Sequence, residues 1–268
     1  MPTASIGDIT VGYDEAGDGD QALVLVHGHP FNRSMWQPQL ERFGRPGLRV
    51  VAADLRGYGA TSVVPGTTTF ETFARDVIGL ADHLNLGSFA LGGLSMGGQI
   101  VMETYRLFPE RITGLILADT SAQAETPASR TARRQLADRL ETEGMGPYAE
   151  EVLTKMVAPS NIARLPEVAD KVMLMMQQTP SAGAAAAMRG RSDRPDYLET
   201  LKSATVPALV VVGSEDDFTP IADAELMHNT LPSSTLAIIK GAAHMPNLER
   251  EDEFNAALDT FLLSLEQR

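Results

Sequence analysis

The chain of 268 residues contains no cysteine. Disulfide scaffolds, iron–sulfur clusters, thiolate metal sites and cysteine nucleophiles are therefore excluded as explanations of its function. Folding does not need them, because a chain of this length buries roughly three quarters of the surface that its unfolded form exposes. We therefore expect a hydrophobic core that is stable without a disulfide or a structural metal.

Positively charged residues are also scarce. The chain has 22 lysines and arginines against 35 aspartates and glutamates, which is a formal net charge of −13 at pH 7. A surface with this excess of negative charge repels the phosphates of nucleic acids and the headgroups of anionic lipids. We therefore expect neither a nucleic-acid partner nor a membrane partner.

Long hydrophobic runs are missing as well. The longest apolar stretches, such as residues 22–26 and 207–212, are far shorter than the roughly 20 residues that cross a bilayer. The amino-terminal sequence MPTAS lacks the basic region and the apolar segment of a secretory signal. We therefore expect a cytoplasmic protein.

Short apolar runs bounded by glycine, proline or aspartate are present throughout the chain. Runs of this kind are typical of strands that are buried on both faces of a parallel sheet. The sequence predicts six of them, at residues 22–27, 49–54, 89–94, 114–119, 207–213 and 235–240. Residues 6–13 instead alternate between apolar and polar, which favours an edge strand or hairpin with one face in water.

Helical patterns lie between the predicted strands. Apolar residues recur at intervals of three or four in residues 70–84 and again in residues 254–265. Alternation of strands and helices predicts an α/β fold with a doubly wound, mostly parallel sheet. In such folds the ligand site lies at the carboxyl ends of the strands.

Residues 121–204 contain no convincing strand and are broken repeatedly by proline and glycine. We interpret them as a helical cap inserted into a core made of residues 1–120 and 205–268. Six of the 12 methionines fall in this segment, and they are interpreted either as flexible core filler or as an adaptable apolar wall. The residues proposed for such a substrate pocket are Phe31, Met145, Met176 and Met245.

The strongest local pattern is GLSMGG, residues 93–98, directly after a predicted strand and before a helical pattern. Glycines on either side of Ser95 permit a sharp turn in which neighbouring backbone comes close. The turn would present the Ser95 hydroxyl at a helix amino terminus, where the partial positive charge favours a developing oxyanion. This context predicts a nucleophilic serine.

A serine nucleophile needs a base, and the base needs an acid that orients it. Among the five histidines, His244 lies in a loop of small residues after the last predicted strand. The preceding strand ends in GSEDDFTP, which places Glu215, Asp216 and Asp217 side by side. We select Asp216 as the acid, followed by Asp217 and then Glu215, with Asp119 at the end of an earlier strand as a further alternative.

The loop HGHPFN, residues 27–32, follows the first central strand. Pro30 has no amide hydrogen to donate. The backbone amides of His29 and Met96 are therefore predicted to form the oxyanion hole. We interpret His27 as a structural residue that orders this loop.

Five segments in this order resemble the sequence blocks of the α/β-hydrolase superfamily, and in particular its small cap-bearing serine hydrolases of the esterase and lactonase type. They are HGHPFN, DLRGYGAT, GLSMGG, GSEDDFTP and GAAHMPNLE. The resemblance implies a triad of Ser95, Asp216 and His244, an oxyanion hole from His29 and Met96, and a helical cap before the strand that carries the acid.

Within that superfamily the GLSMGG block is similar to that of enol-lactone hydrolases, whereas the oxyanion loop departs from theirs. Epoxide hydrolases and haloalkane dehalogenases carry an aspartate where this chain has Ser95. We therefore predict hydrolysis of a carboxylic ester or lactone of small-molecule size, by a monomer or homodimer. The alternatives are hydrolysis of a carbon–carbon bond in a ketone-type substrate and ligand binding without turnover on a hydrolase scaffold.

No cofactor and no metal are expected, because the carboxylates and histidines do not follow a recognised ligand spacing. We single out six of the eight arginines in the predicted cap. We interpret them as solvated ion-pair partners on an acidic protein, with the pairing of one of them to a substrate carboxylate as the alternative. They are Arg130, Arg133, Arg134, Arg189, Arg191 and Arg194.

Overall fold

The computed structural model describes residues 2–266. Eight strands form one sheet in the order β1-β2-β4-β3-β5-β6-β7-β8. The strands are β1 (Thr3–Ile6), β2 (Ile9–Ala16), β3 (Asp18–Val26), β4 (Pro46–Ala53), β5 (Phe89–Leu94), β6 (Ile112–Ala118), β7 (Ala208–Gly213) and β8 (Ser234–Ile239).

Twelve α-helices are described among these residues, together with two short 3-10 helices at Arg33–Trp36 and Pro109–Arg111. The α-helices are α1 (Gln37–Phe43), α2 (Phe70–His83), α3 (Met96–Leu107), α4 (Pro127–Glu143), α5 (Met145–Met156), α6 (Pro159–Arg164), α7 (Pro166–Gln178), α8 (Ser181–Ser192), α9 (Leu198–Lys202), α10 (Ile221–Thr230), α11 (Pro246–Glu249) and α12 (Glu251–Glu266).

The sheet is parallel from β4 to β8 and antiparallel only at its amino-terminal edge. Strand β1 pairs with β2 as a hairpin, and β2 pairs antiparallel with β4. Strand β3 has β4 on one side and β5 on the other, so the direction of strand order reverses there. The crevice at the carboxyl ends of β3 and β5 is therefore the expected ligand site of a doubly wound sheet. The predicted fold class and all six predicted strands are confirmed.

The hydrophobic core lies on both faces of the sheet, because successive side chains of a strand point to opposite sides. In β3, Val24 and Val26 join the cluster on one face, whereas Leu23 and Leu25 join the cluster on the other. Burial on both faces explains why these strands read as continuous apolar runs.

Residues 121–204 contain six helices, α4 to α9, and no strand. Helix α8 lies unusually close to the loop after β4. A Cβ atom added at Gly183 would lie 1.9 Å from the carbonyl oxygen of Gly57, and one at Gly190 would lie 1.7 Å from that of Thr68. The amide of Thr68 also donates to the carbonyl of Ala186 over 3.0 Å. Helix α8 is therefore held against the loop after β4 by direct backbone contact.

Within residues 2–266, no helix combines the length and the apolar character needed to cross a bilayer.

Candidate active site

Ser95 occupies the sharp turn between β5 and α3. Its φ of 57° and ψ of −119° lie outside the regions that a residue with a side chain normally adopts, at a cost of about 1–3 kcal/mol. Hydrogen bonds with the end of β6 hold this geometry. The Ser95 amide donates to the carbonyl of Ala118 over 2.9 Å, and the Thr120 hydroxyl donates to the Ser95 carbonyl over 2.7 Å.

Two glycines beside Ser95 are required by close backbone contacts. A Cβ atom at Gly93 would lie 2.4 Å from the carbonyl of Gly97, and a Cβ atom at Gly97 would lie 2.3 Å from the carbonyl oxygen of Val26. Contacts under 3.0 Å do not occur for real Cβ atoms. The glycines therefore let the amino terminus of α3 pack directly against the end of β3.

His244 and Asp216 form a buried pair. The His244 Nδ1 atom lies 2.8 Å from Asp216 Oδ2, and the two side chains are almost inaccessible to solvent. An ionised carboxylate only accepts hydrogen bonds, so Nδ1 carries the proton and Nε2 keeps a free lone pair. The imidazole is therefore in the tautomer that can act as a base.

Asp216 is held as a carboxylate by several donors. Its Oδ1 accepts from the amides of Phe218 and Thr219 over 2.8 and 3.2 Å, and its Oδ2 also accepts from the Thr219 hydroxyl. Burial alone would raise the pKa of Asp216. The electrostatic interaction with His244 and these hydrogen bonds outweigh burial, so the pKa of Asp216 lies below its ordinary value. The neighbouring acids Glu215 and Asp217 are exposed.

Ser95 Oγ makes no hydrogen bond with any of the described residues, so the contact with His244 that the predicted triad requires is not closed in this structure. Catalytic hydrogen bonds are often long when no substrate is bound and shorten in the complex. The structure therefore brings Asp216 and His244 together. We expect the hydrogen bond between His244 and Ser95 to form when a substrate binds.

A second buried carboxyl, Asp119, lies beside the pair. One ligand atom from each of Asp119, Asp216 and His244 lies within 4.8 Å of the others. Asp119 Oδ1 accepts from the amide of Gly213 over 2.8 Å, whereas Oδ2 receives no hydrogen bond from any described residue. Burial raises the pKa of Asp119 well above its usual value, and the charge of Asp216 raises it further. Burial and the neighbouring Asp216 therefore favour the protonated form of Asp119.

The predicted oxyanion donors lie on two segments that touch. A Cβ atom at Gly28 would lie 2.8 Å from the carbonyl oxygen of Leu94 and 3.1 Å from the Ser95 Cβ. Among residues 2–266, no protein group accepts a hydrogen bond from the amide of His29 or of Met96. Both amides are therefore available to an oxyanion bound at Ser95.

The histidines of this loop have different roles. His27 Nδ1 lies 2.8 Å from the Gly28 carbonyl, and its Nε2 accepts from the Leu55 amide over 2.9 Å, so the ring orders the loop as expected. His29 Nδ1 lies 2.8 Å from the Tyr58 hydroxyl, while its buried Nε2 has no partner among the described residues. Burial, with the charges of Arg191 and Arg133, lowers the pKa of His29 well below its ordinary value. His29 is therefore neutral.

The four predicted pocket residues are all buried, but the structure does not bring them into one group. Phe31, Met176 and Met245 belong to the hydrophobic cluster on one face of the sheet, and Met145 belongs to the cluster on the other. Their role in a substrate pocket stays a prediction.

A cavity of about 240 Å³ lies beside the acid loop, with Phe218 and Thr219 on one side. The Phe218 ring centroid is 5.1 Å from that of the His244 imidazole. Arg191 and Arg194 line the same cavity, and they are only 9% and 3% exposed. The expectation that the arginines of this segment are solvated is therefore wrong for these two, because α8 and the turn after it pack against the core.

Glu249 is a further site residue that the sequence does not single out. Its Oε1 accepts from the amide of Ala243, next to His244, and its Oε2 accepts from the Ala158 amide and the Asn161 side chain, all within 2.7–2.8 Å. This buried carboxylate ties the His244 loop to helix α6 and the residue before it. Ala158 and Asn161 are 91 and 88 residues away from Glu249 in the chain, so no local sequence pattern predicts these two contacts.

Comparison with known proteins identifies the family. Residues 23–257 match the model of a family described as the alpha/beta hydrolase family. The chain is 30% identical to 3-oxoadipate enol-lactonase 2 of Acinetobacter baylyi, over 97% of this chain and 96% of that protein.

Two solved structures share the whole fold. The malate-bound thermophilic esterase from Thermogutta terrifontis has a TM-score of 0.96 and 36% identity, and the match covers 99% of each chain. The enol-lactonase from Burkholderia xenovorans LB400 has a TM-score of 0.91 and 27% identity, with coverage of 98% of this chain and 100% of that one.

Proposed function

The chain belongs to the alpha/beta hydrolase family, and from that premise we propose that it cleaves a carboxylic ester or a lactone through an acyl-enzyme on Ser95. One observation carries the proposal. A serine held in strained geometry at a helix amino terminus shares the carboxyl edge of the sheet with a buried, hydrogen-bonded pair of Asp216 and His244. The esterase and enol-lactonase relatives support the same reaction class.

The first half of the reaction forms the acyl-enzyme. His244 Nε2 removes the proton from Ser95 Oγ as the oxygen attacks the carbonyl carbon of the substrate. The His244 imidazolium then protonates the leaving alkoxide, and the bond between carbonyl carbon and alkoxide oxygen breaks. In a lactone this alkoxide stays attached to the acyl group. Asp216 stays ionised and stabilises the imidazolium.

The negative charge that develops on the carbonyl oxygen needs donors already in place. The amides of His29 and Met96 supply them, on a loop and a helix terminus that direct backbone contacts hold together. The amino terminus of the 12-residue helix α3 adds its partial positive charge. This arrangement stabilises the tetrahedral intermediate more than it stabilises the planar ester.

The second half releases the acid. His244 removes a proton from a water molecule, whose oxygen attacks the acyl carbon, and then returns that proton to Ser95 Oγ as the acyl–oxygen bond breaks. The helices of residues 121–204 act in this proposal as a cap that covers the carboxyl edge of the sheet. Their direct contact with the loop after β4 keeps the site at the interface between core and cap.

The first test is the loss of turnover in Ser95→Ala. We expect hydrolysis of short p-nitrophenyl esters by the wild type, without added metal or cofactor, and a rate at least about a thousandfold lower in the variant. Ser88→Ala is the matched control, because Ser88 is an exposed serine outside the site. Retention of a tenth of the activity by Ser95→Ala would defeat the assignment. Failure of the wild type to hydrolyse any ester or lactone would favour carbon–carbon cleavage or ligand binding instead.

A further inference from the structure

A threonine of the cap contacts the predicted oxyanion loop. Thr179, between α7 and α8, is buried, and its hydroxyl lies 2.7 Å from the carbonyl oxygen of Pro30 and 3.0 Å from that of Met175. The bond to Met175 stays within the cap and is the usual contact of a helical threonine with the carbonyl four residues earlier. The bond to Pro30 joins residues 149 positions apart, and it connects the cap to the residue after His29.

The Pro30 carbonyl depends on this contact. Pro30 is buried, and within residues 2–266 its carbonyl oxygen accepts a hydrogen bond from no group other than the Thr179 hydroxyl. A buried carbonyl without a donor is costly, so this single bond fixes the orientation of the carbonyl. The oxyanion loop therefore relies on the cap for one of its backbone hydrogen bonds.

The bond from Thr179 is the first of a series that ends at the predicted oxyanion hole. A trans peptide unit is planar, with its carbonyl and its N–H on opposite sides. The unit that contains the Pro30 carbonyl also contains the Phe31 N–H, which donates to the Gly28 carbonyl over 3.0 Å. The unit that contains the Gly28 carbonyl in turn contains the His29 N–H, the predicted donor to the oxyanion. Two peptide planes therefore connect the cap hydroxyl to the oxyanion donor.

Each hydrogen bond in this series strengthens the next. Donation to a carbonyl polarises its peptide unit and makes the N–H of the same unit a stronger donor. His27 adds to this effect, because its Nδ1 donates to the same Gly28 carbonyl over 2.8 Å. The Thr179 hydroxyl therefore orients the His29 N–H and also increases its partial positive charge. Both effects favour the charged transition state over the planar ester.

The position of Thr179 is fixed from both sides. Four residues later, Gly183 in α8 packs backbone to backbone against Gly57 of the loop after β4. On the other side, α7 follows α6, whose Asn161 binds the core residue Glu249 over 2.7 Å. A donor that is held in place needs little reorganisation when charge develops on the substrate.

We propose that Thr179 is a positioning residue for the oxyanion hole, because through Pro30 and Phe31 it orients and polarises the His29 amide. This inference rests on the ester or lactone hydrolysis proposed above, and it gives the cap a part in the chemical step in addition to covering the site. Thr179 acts through the oxyanion loop. Its hydroxyl should therefore matter more for the transition state than for the binding of the substrate.

The kinetic test removes the hydroxyl and keeps the shape of the side chain. Thr179→Val should lower kcat per titrated active site on a p-nitrophenyl ester by roughly ten- to thirtyfold, because the loss of a whole oxyanion donor costs about 10²- to 10³-fold. KM should change by less than about threefold, and Thr179→Ser, which keeps the hydroxyl, should have nearly the kcat of the wild type. A boronic acid that adds to Ser95 places an oxygen at the oxyanion position. Its inhibition constant should rise in Thr179→Val by about the factor by which kcat falls.

Thr230→Val is the matched control. Thr230 is a partly buried residue at the end of α10, and its hydroxyl donates to the carbonyl of Leu226, four residues earlier, over 2.7 Å. The variant loses the same kind of bond that Thr179 makes with Met175, and it should leave kcat unchanged. An equal loss of kcat in Thr230→Val would overturn the proposal. A loss in Thr179→Ser as large as in Thr179→Val, or an effect confined to KM, would also overturn it.

A spectroscopic measurement detects the same hydrogen bonds without turnover. The sequence contains one Gly-His dipeptide, residues 28–29. Protein labelled with ¹³C-carbonyl glycine and ¹⁵N-histidine therefore gives a single carbonyl–amide correlation, which comes from the peptide unit of the oxyanion donor. We expect Thr179→Val to shift this correlation, and Thr179→Ser and Thr230→Val to leave it close to its position in the wild type.

The two measurements separate this inference from the proposed function. A correlation that stays in place in Thr179→Val would show that the cap hydroxyl does not act on the His29 amide, and it would refute the inference even for a fully active enzyme. Absence of all ester and lactone hydrolysis by the wild type would instead contradict the proposed function, whatever the position of the correlation.

Discussion

The two buried carboxyls at the ends of β6 and β7 differ in their hydrogen-bond donors. Asp216 accepts from two amides, a hydroxyl and an imidazole, which favour its ionised form. Asp119 accepts from a single amide and lies beside the charge of Asp216. Two carboxylates this close repel each other. Ionisation of Asp216 therefore favours the protonated form of Asp119.

Exchange of Asp216 for asparagine tests which carboxyl orients the histidine. Asn cannot hold His244 as the Nδ1–H tautomer with a charge behind it, so we expect Asp216→Asn to lower kcat by about 10³- to 10⁴-fold. Asp217→Asn, at the next position but exposed, should change kcat by less than about twofold. Steady-state kinetics of the two variants on one p-nitrophenyl ester measure this difference. A larger loss of kcat in Asp217→Asn than in Asp216→Asn would show that Asp217 orients the histidine.

The proton on Asp119 should appear in the pH dependence of stability. Because the pKa of Asp119 is raised in the folded protein, its stability contribution is complete below the unfolded pKa of about 3.9 and is lost as the pH rises toward the folded value. Asparagine has no such dependence and can still accept from Gly213 and donate to Asp216. Asp119→Asn should therefore gain stability over the wild type as the pH rises from 4 to 8.

Urea denaturation at several pH values measures this difference, and Asp217→Asn serves as the control for loss of one negative charge. A gain that grows toward acidic pH would show that Asp119 is ionised in the folded protein. Lower stability of Asp119→Asn at every pH would show that the carboxyl makes a contact that an amide cannot replace.

The site residues that the sequence predicts are those with a local signature. Ser95 lies in a glycine pattern after a strand, and His244 and Asp216 follow the last two strands of the sheet. Thr179 and Glu249 carry no such signature, because their importance comes from burial and from partners far away in the chain. Asp119 ends an apolar run, and only the structure places it beside Asp216.

At the scale of elements, the contact between α8 and the loop after β4 fixes the position of Arg191 at the cavity beside the acid loop. The helix carries Gly183 at the contact and Arg191 two turns later. Backbone meets backbone at Gly183 and Gly57, so no side chain fits between them. The close contact at Gly183 therefore fixes the distance between α8 and the loop after β4, and with it the position of Arg191 at the cavity.

Gly183→Ala tests this contact. The added Cβ would lie 1.9 Å from the Gly57 carbonyl oxygen, so the helix must move away, and we expect a loss of about 1–3 kcal/mol in the free energy of unfolding. Gly146→Ala, in helix α5, is the control, because a Cβ there meets nothing within 4 Å. It should leave stability unchanged or raise it by up to about 1 kcal/mol. Equal values for the two variants in urea denaturation would contradict the close packing of α8.

The strands were predictable because burial on both faces makes them continuously apolar, but their ends were not. The prediction starts β3 at residue 22, whereas the strand begins at Asp18. Residues 18–21 pair with β4 through their backbone, but their side chains are exposed. These residues are therefore not apolar, and the sequence does not predict them as part of the strand. In the same way, β4 begins at Pro46 in an exposed segment.

At the scale of the whole molecule, net charge and local charge give opposite expectations. The total of −13 predicts repulsion of anions. The sequence cannot show that three arginines close on one cavity, because Arg133 lies on α4 whereas Arg191 lies on α8 and Arg194 just beyond it. The composition therefore predicts the electrostatic potential far from the protein, whereas the potential inside the cavity depends on the fold.

The pairing of β6 with β7 also orders events during synthesis of the chain. The Asp119 amide reaches the carbonyl of Val211, and its carboxyl reaches the Gly213 amide 94 residues later. A nascent chain that emerges amino terminus first can complete the Ser95 turn once β6 has appeared, because Ala118 and Thr120 hold it. His244 follows only after the whole helical segment and β7. In the proposed mechanism, Ser95 therefore has no base until the segment that carries His244 has been synthesised.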